Sequence, residues 1–457
     1  MSGKFPLFEE RMRAEKLPQV VIDTFRHYYD QLVKGETGLI PEKEILAVES
    51  LPDAESFGAD LKETGRQALP GTVIVKLNGG LGTGMGLEKA KSLLVVKNGL
   101  TFLDIIARQA MHARVPLLLM NSFSTRDDSL LCLEKYPGLA RPPLPLDFLQ
   151  HKAPKILQAG LSPALFPADP ELEWYPPGHG DLYTALATSS MLDKMVKAGI
   201  TYAFVSNADN LGAVLDLKIL GYFAKNNLPF MMECADRTEA DKKGGHLAKE
   251  KSGQLLLRES AQCPDADLNA FQDTSRHRYF NTNNLWINLK SLEKLMAERN
   301  NILGLPMIRN SKTVDPRDGK SAPVYQLETA MGSAIAVFKG AAAIRVPRTR
   351  FAPVKANSDL LSVRSDAYTL TADHQVVLNP ARKTGVPVVV LDNKFYKLID
   401  QMEARFPFGA PSLLHCEKLE IQGDVSFGRN IAVKGSVRLT GTAGSQTRIQ
   451  DNSILQG

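Results

Sequence analysis

The chain has 457 residues, more than one hydrophobic core usually organises, so about three structural units are expected. Its 44% hydrophobic and 23% charged residues are those of an ordinary folded protein and exclude collagenous, coiled-coil and disordered classes. A net charge of +5 spread over this length, with no Lys/Arg tract, leaves no electrostatic footprint for nucleic acid.

From the N-terminus, MSGKFPLFEERMRAEK becomes charged too early for a secretory signal, and no apolar run approaches bilayer-spanning length. A cytoplasmic protein without a membrane partner is expected. Val20, Val21, Phe25, Tyr28, Tyr29 and Leu32 recur at helical spacing after Pro18, predicting a helical segment over residues 1–66. Short runs rich in Val, Ile and Leu follow at 72–77, 115–120, 202–206, 230–234 and 344–347, alternating with amphipathic stretches such as Phe102, Ile105, Ile106, Ala110 and Ala113. Buried strands alternating with helices predict an α/β domain over 67–385, Rossmann-like, with a mixed, mostly parallel sheet that binds ligands at the strands' carboxyl ends.

A linker helix is expected over 386–410. Beyond it one apolar position returns every six residues as Leu419, Val425, Ile431, Val437, Ala443, Ile449 and Leu455, accompanied by Ile421, Phe427, Val433 and Leu439. That period, with Gly423, Gly435 and Gly441 interspersed, predicts a parallel β-helix over 411–457. The four cysteines, Cys132, Cys234, Cys263 and Cys416, form no CxxC pair, which argues for reduced thiols and against zinc.

The chemistry concentrates in VIVKLNGGLGTGMGLEKAKS, residues 73–92, where a buried strand runs into Gly79, Gly80, Gly82, Gly84 and Gly86 and then reaches Lys89 and Lys91. Glycines let backbone N–H groups approach a ligand that any Cβ would exclude, so the segment reads as a phosphate cradle. It is neither a P-loop nor a dinucleotide fingerprint, because no GxxxxGK[ST] occurs and the lysine is delayed. Asp209 follows the 202–206 strand, where it suits a Mg²⁺ site or, with Asn210, a helix N-cap. His179, between Gly178 and Gly180, is expected in an exposed turn, and the Asn281–Asn283 cluster in a turn before an apolar strand.

These stretches, together with MNSFSTRDDS from Met120, FLQHKAPK from Phe148, PPGHGDLY from Pro176, VSNADNLG from Val205, KGGHLA from Lys243, FNTNNLWINL from Phe280, QLETAMGSAI from Gln326 and VPRTRFAPVKANSDLL from Val346, resemble the eukaryotic-type UDP-glucose pyrophosphorylases in order and wording. The resemblance implies a nucleotide-diphospho-sugar transferase core with a C-terminal left-handed β-helix, Mg²⁺ dependence, and the reaction of UTP with glucose 1-phosphate to give UDP-glucose and pyrophosphate. It implies Lys91 and Lys355 as catalytic cations and Asp209 as metal ligand. Leu77, Gly79, Gly80, Gly82, Thr83, Gln150, Gly178, His179 and Asp209 would face the nucleotide, with Gln150 reading the uracil edge. Asn207, Gly245, Glu259, Asn281 and Asn283 would face the sugar. A homo-oligomer formed through the β-helix is the expected assembly.

Where the family's signature reads K-G-P-K-S, this chain has Glu88, Lys89, Ala90, Lys91 and Ser92, losing a proline and exchanging a cation for an anion. Three other readings compete: a broader UDP-sugar or N-acetylhexosamine pyrophosphorylase, a non-catalytic nucleotide-sugar sensor or scaffold, and a glycosyltransferase. The last requires a DxD motif, and the nearest match is Asp265-Ala266-Asp267 in a polar stretch after Pro264.

Overall fold

The computed structural model describes residues 3–457. Its centre is a ten-stranded mixed sheet. The strand Thr72–Asn78 lies between Tyr202–Asn207 and Leu117–Asn121, parallel to both, and Asp147–Leu149 continues the parallel series. Tyr279–Asn288 runs against Tyr202–Asn207 on one edge and against Phe230–Asp236, which in turn pairs in parallel with Ala342–Arg345. All five residues of Leu117–Asn121 are buried, as are all but Leu77 of Thr72–Asn78, so helices must cover both faces.

The predicted stripe forms the helix Phe102–Ala113, started by a reciprocal Thr101–Asp104 capping box and burying Phe102, Ile105, Ile106 and Ala110. A pair of helices, Ala59–Ala68 and Leu217–Lys225, crosses at Gly65 and Gly221, where a Cβ on either would run into the carbonyl of Leu217 or Leu61.

The N-terminal helices Phe5–Ala14 and Gln19–Val33 pack Phe8, Phe25 and Tyr29 with Leu327 and Ile156 of a separate three-stranded sheet. The segment expected to be helical to residue 66 also contributes a strand, Ile45–Ala47, to the central sheet, paired with His246–Glu250. No helix among the described residues is long and apolar enough to cross a membrane.

Two expectations for the C-terminal part are corrected. Residues 386–410 are not one helix. Val388–Leu391 is a strand, paired in parallel with Ser412–Gln422, and only short helices at Asn393–Tyr396 and Ile399–Arg405 follow. Three consecutive valines favour extended backbone here over helix.

The six-residue register also breaks. Ser412–Gln422, Ala432–Thr440 and Ile454–Gln456 stack in parallel, as do Val425–Phe427 and Thr447–Ile449. Leu419 pairs with Val437, a step of 18, but Val425 pairs with Thr447, a step of 22. The additional residues form an exposed turn containing Ala443 and the left-handed Gly444. Ala443 is therefore no rung, and Ile449 and Leu455 stack beneath Phe427 and Val433 instead.

Gly221→Ala is expected to cost about 1–3 kcal/mol of stability by forcing the crossed helices apart. Gly319→Ala, where a Cβ meets open space, should stay within about 0.5 kcal/mol of the unsubstituted chain. Urea unfolding midpoints of the two variants measure the difference.

Candidate active site

The cradle begins where Thr72–Asn78 ends. Gly79 is glycine because a Cβ there would stand 2.5 Å from Gln150 Oε1, so the predicted uracil-reading amide lies directly on the loop. Gly82 and Gly86, at φ +70° and +75°, flank the short turn Thr83–Met85. The Lys91 N–H closes the loop on Gly80 O at 3.1 Å, and its ammonium donates to Asp209 Oδ2 at 2.7 Å. Lys91 and Asp209, far apart in sequence, thus meet at the mouth of the cradle.

The departures from the family signature fall in two environments. Glu88 and Lys89 are exposed, the latter 3.6 Å from Asp128. Ala90 is buried with φ −51°, a value proline would also adopt, so losing the proline removes chain stiffness without changing the conformation.

Asp209 sits just past the carboxyl end of Tyr202–Asn207, whose last residue pairs with Leu77. It caps no helix. Asp216 caps the next one, accepting from the Lys218 and Ile219 N–H groups. The Asp209 carbonyl instead accepts the Val354 N–H at 3.1 Å, which brings the loop of Lys355 alongside. Lys355 is exposed, with Nζ 5.6 Å from the Phe351 ring centroid.

His179 is not in an exposed turn. It is half-buried, beginning a short 3-10 turn, His179–Asp181, that packs on Thr329; there the left-handed Gly178 and its neighbour Gly180 leave no room for a Cβ. Its Nδ1 accepts the Met331 N–H at 2.9 Å, and burial pushes its pKa down to about 4. The imidazole is therefore neutral near pH 7 with its proton on Nε2, a hydrogen-bond donor and not a base.

The FNTNN cluster is likewise no turn. It lies inside the strand Tyr279–Asn288, where the register with Phe230–Asp236 slips between Glu233 and Cys234. The bulge puts Asn283 at φ +58° and lets Asn281 and Asn283 bond each other, Asn281 Nδ2 donating to Asn283 Oδ1 at 2.9 Å. The Asn281 N–H donates to Gly245 O, and a Cβ on Gly245 would stand 2.5 Å from Glu259 Oε2, so four of the predicted sugar-facing residues lie together, while Asn207 stands apart at the end of its own strand, opposite Leu77. Burial raises the Glu259 carboxyl to about 6, against the opposing pull of the Lys355 ammonium, which links this group to the loop beside Asp209.

Several groups behind the site escaped sequence reasoning. Asp181 accepts from the His151 N–H at 2.7 Å and pairs with His151 Nδ1 at 2.9 Å, fixing the residue next to Gln150. Lys76 is buried, donating to Ser206 Oγ and Ala213 O, and burial lowers it to about 7. Glu233 and Arg350 form a buried bidentate pair at 2.6 and 2.7 Å. Lys76 and Glu233 stand in apolar runs, where the cost of burying an unpaired charge could have marked them, whereas Arg350 sits inside the motif from Val346 with no local sign of its partner. Asp267 of the DxD match accepts from the Glu42 N–H at 2.7 Å and lies 3.3 Å from Arg258, a structural role that removes the glycosyltransferase motif.

A glycine-rich loop at the carboxyl end of a strand in a parallel series, with Lys91 and Asp209 at its mouth, suits the polyanionic substrates of a nucleotidyltransferase. Residues 22–434 match the profile of the family described as UTP–glucose-1-phosphate uridylyltransferase, and the chain belongs to that family. The enzyme of that name from Solanum tuberosum is 41% identical over 399 residues, covering 85% of this chain and 81% of its own. That from Saccharomyces cerevisiae is 41% identical over 391 residues, covering 84% and 76%. Among solved structures, a UDP-glucose pyrophosphorylase variant from Leishmania major in complex with UDP-glucose superposes with a TM-score of 0.91 at 45% identity, covering 100% and 98% of the two chains. A UDP-glucose phosphorylase from Trypanosoma brucei gives 0.87 at 46%, covering 99% and 98%.

The raised Glu259 pKa has a stability consequence with a definite sign. Protons bind the folded state more tightly here, so the stability this adds is present below the unfolded value of 4.5 and is lost as pH rises to about 6. Between those values the wild type should lose on the order of 2 kcal/mol relative to Glu259→Gln. Denaturant titrations of both proteins from pH 4 to 8 measure it, and parallel curves would contradict a buried carboxyl.

Proposed function

We propose that the chain joins UTP to glucose 1-phosphate, forming UDP-glucose and releasing pyrophosphate. The observation that carries this reading is the Lys91–Asp209 pair, 2.7 Å apart at the mouth of the glycine cradle. A phosphate oxygen of glucose 1-phosphate attacks the α-phosphorus of UTP in line, a new P–O bond forms, and the bond to the β-phosphate oxygen breaks as pyrophosphate departs. Both reactants are anions, so catalysis is positioning plus neutralisation, and no protein nucleophile is required.

Backbone N–H groups of Gly79, Gly80, Gly82 and Thr83 cradle the nucleotide alongside Leu77 and Gly178, and Gln150 presents an amide to the uracil edge. Neutral His179 donates to an anionic oxygen. Lys91 and Lys355 neutralise charge at the reacting phosphates, while Asn207, Asn281, Asn283, Gly245 and Glu259 bind the hexose. Among the described residues no group of three His, Cys, Asp or Glu side chains could hold a metal alone. The partly exposed carboxylate of Asp209 nevertheless fits Mg²⁺, which ordinarily takes one or two carboxylates and draws its other ligands from substrate phosphates and water. When bound, the ion supplies charge neutralisation at the α-phosphate.

The parallel coils of the C-terminal part support a left-handed β-helix through which copies of the chain assemble, following a helical N-terminal unit and a catalytic domain; a cytoplasmic location fits the substrates.

A pyrophosphate-release assay across nucleotides and sugar phosphates tests the reading. Release is expected with UTP and glucose 1-phosphate, and comparable efficiency with galactose 1-phosphate or N-acetylglucosamine 1-phosphate would overturn the glucose preference. Absence of release with every pair would leave a nucleotide-sugar sensor.

For Asp209→Asn, half-saturating Mg²⁺ in that assay is expected to rise about 10- to 100-fold. An unchanged metal response would move the ion elsewhere.

A further inference from the structure

Asn210, next to the proposed metal ligand, is buried and uses its whole amide. Its Nδ2 donates to Arg350 O at 3.1 Å and Asn284 Oδ1 at 3.2 Å, and its Oδ1 accepts from Gly212 N at 3.1 Å and Ala352 N at 2.9 Å. Each flanking bond crosses between the same two loops. Val354 N donates to Asp209 O, Asn210 bridges to Pro353 in antiparallel fashion, and Arg350 Nη2 donates to Val214 O at 3.0 Å. Gly212 is glycine because a Cβ would lie 2.8 Å from the Arg350 carbonyl carbon, so the loops are in backbone contact.

Behind this seam, Glu233 receives both arms of Arg350, the Trp286 indole N–H at 2.9 Å and Asn284 Nδ2 at 3.0 Å, while its carbonyl accepts the Thr282 hydroxyl at 2.7 Å. Glu233 thus stands at the bulge that turns Asn281 and Asn283 and also holds the arginine whose carbonyl receives Asn210.

We infer that Asn210, seated on the Glu233–Arg350 pair, is a positioning residue that fixes the Asp209 loop and the Lys355 loop relative to each other. Its amide is fully engaged with protein groups and leaves none free for substrate. Its role is to set the separation of the metal-binding carboxylate and the second lysine, a distance the charge-neutralising geometry depends on and which a misplacement of about 1 Å degrades by about 100-fold. The inference rests on the reading that Asp209 and Lys355 act at the reacting phosphates.

The test is a double-mutant cycle in the pyrophosphate assay with Asn210→Ala and Lys355→Ala. Asn210→Ala is expected to lower kcat by about tenfold or more while KM for UTP stays within about threefold, because the cradle is untouched. In the Lys355→Ala chain the same substitution should cost less than about threefold, since the group it positions is gone. Equal losses in both backgrounds would overturn the proposal.

Arg350→Lys keeps the buried positive charge but loses the bidentate fork, and gives a second cycle with the same expected non-additivity should Asn210→Ala fold poorly. Amide hydrogen exchange separates this proposal from the catalytic reading. Faster exchange at Ala352 and Val354 in Asn210→Ala is expected whatever the reaction, and unchanged exchange would overturn the brace. Full turnover by Lys355→Ala alone would instead remove the catalytic assignment.

Discussion

A carboxylate buried within a sheet must be neutralised, and Glu233 meets that requirement with Arg350 from a distant part of the chain. Leaving either partner alone would cost about 3–5 kcal/mol, so the pair forces the segment after Ala342–Arg345 back over the sheet. That return path carries Lys355 to the carboxyl ends of the parallel strands. The same carboxylate receives Asn284 and Trp286 from the bulged strand. One buried ion pair therefore fixes the relative placement of the groups assigned to metal, phosphate and sugar.

Around this pair the site keeps its charges few and directed. Lys91 is held by Asp209, so neither is an isolated charge before an anion arrives. His179 is neutral and carries its proton on Nε2, and Glu259 sits close to its protonation midpoint at mildly acidic pH, tempered by Lys355. Preset amides and two ammonium groups suit a reaction in which two anions must meet, because oriented dipoles need no reorganisation as charge moves.

What the sequence disclosed followed from local physics. Five apolar runs became strands because a parallel sheet buried on both faces needs unbroken Val, Ile and Leu. Gly79, Gly82 and Gly86 marked the loop because close approach or left-handed backbone excludes other residues there. The misreadings have an equally physical origin. His179 looked exposed between two glycines, but those glycines are there to let Thr329 pack against the turn. Asn281–Asn283 looked like a turn because asparagine favours left-handed backbone, which a β-bulge within a strand also demands. The hexad failed after Val437 because Ile449 and Leu455 remain six apart while the turn around Ala443 shifts which rung they occupy. Glu233 and Arg350 were illegible because pairing between distant charges leaves no local pattern, and Lys76 because its partners are a hydroxyl and a carbonyl far along the chain.

The C-terminal coils are not an appendage to this arrangement. Met85 of the cradle, Leu211 beside the Asp209 loop and Val354 beside Lys355 share one hydrophobic cluster with Tyr396, Ile399, Phe406, Leu419 and Phe427. Gly86 approaches Leu398 closely enough that a Cβ would stand 3.0 Å from its side chain. Interiors packed at crystal-like density transmit displacement between the elements that share them. Each of the three loops that bring charge to the site is therefore anchored twice, by polar seams or strand ends on the sheet side and by apolar contacts with the coil on the other. The coil's stacking register and the spacing of Lys91, Asp209 and Lys355 are then parts of one packing problem.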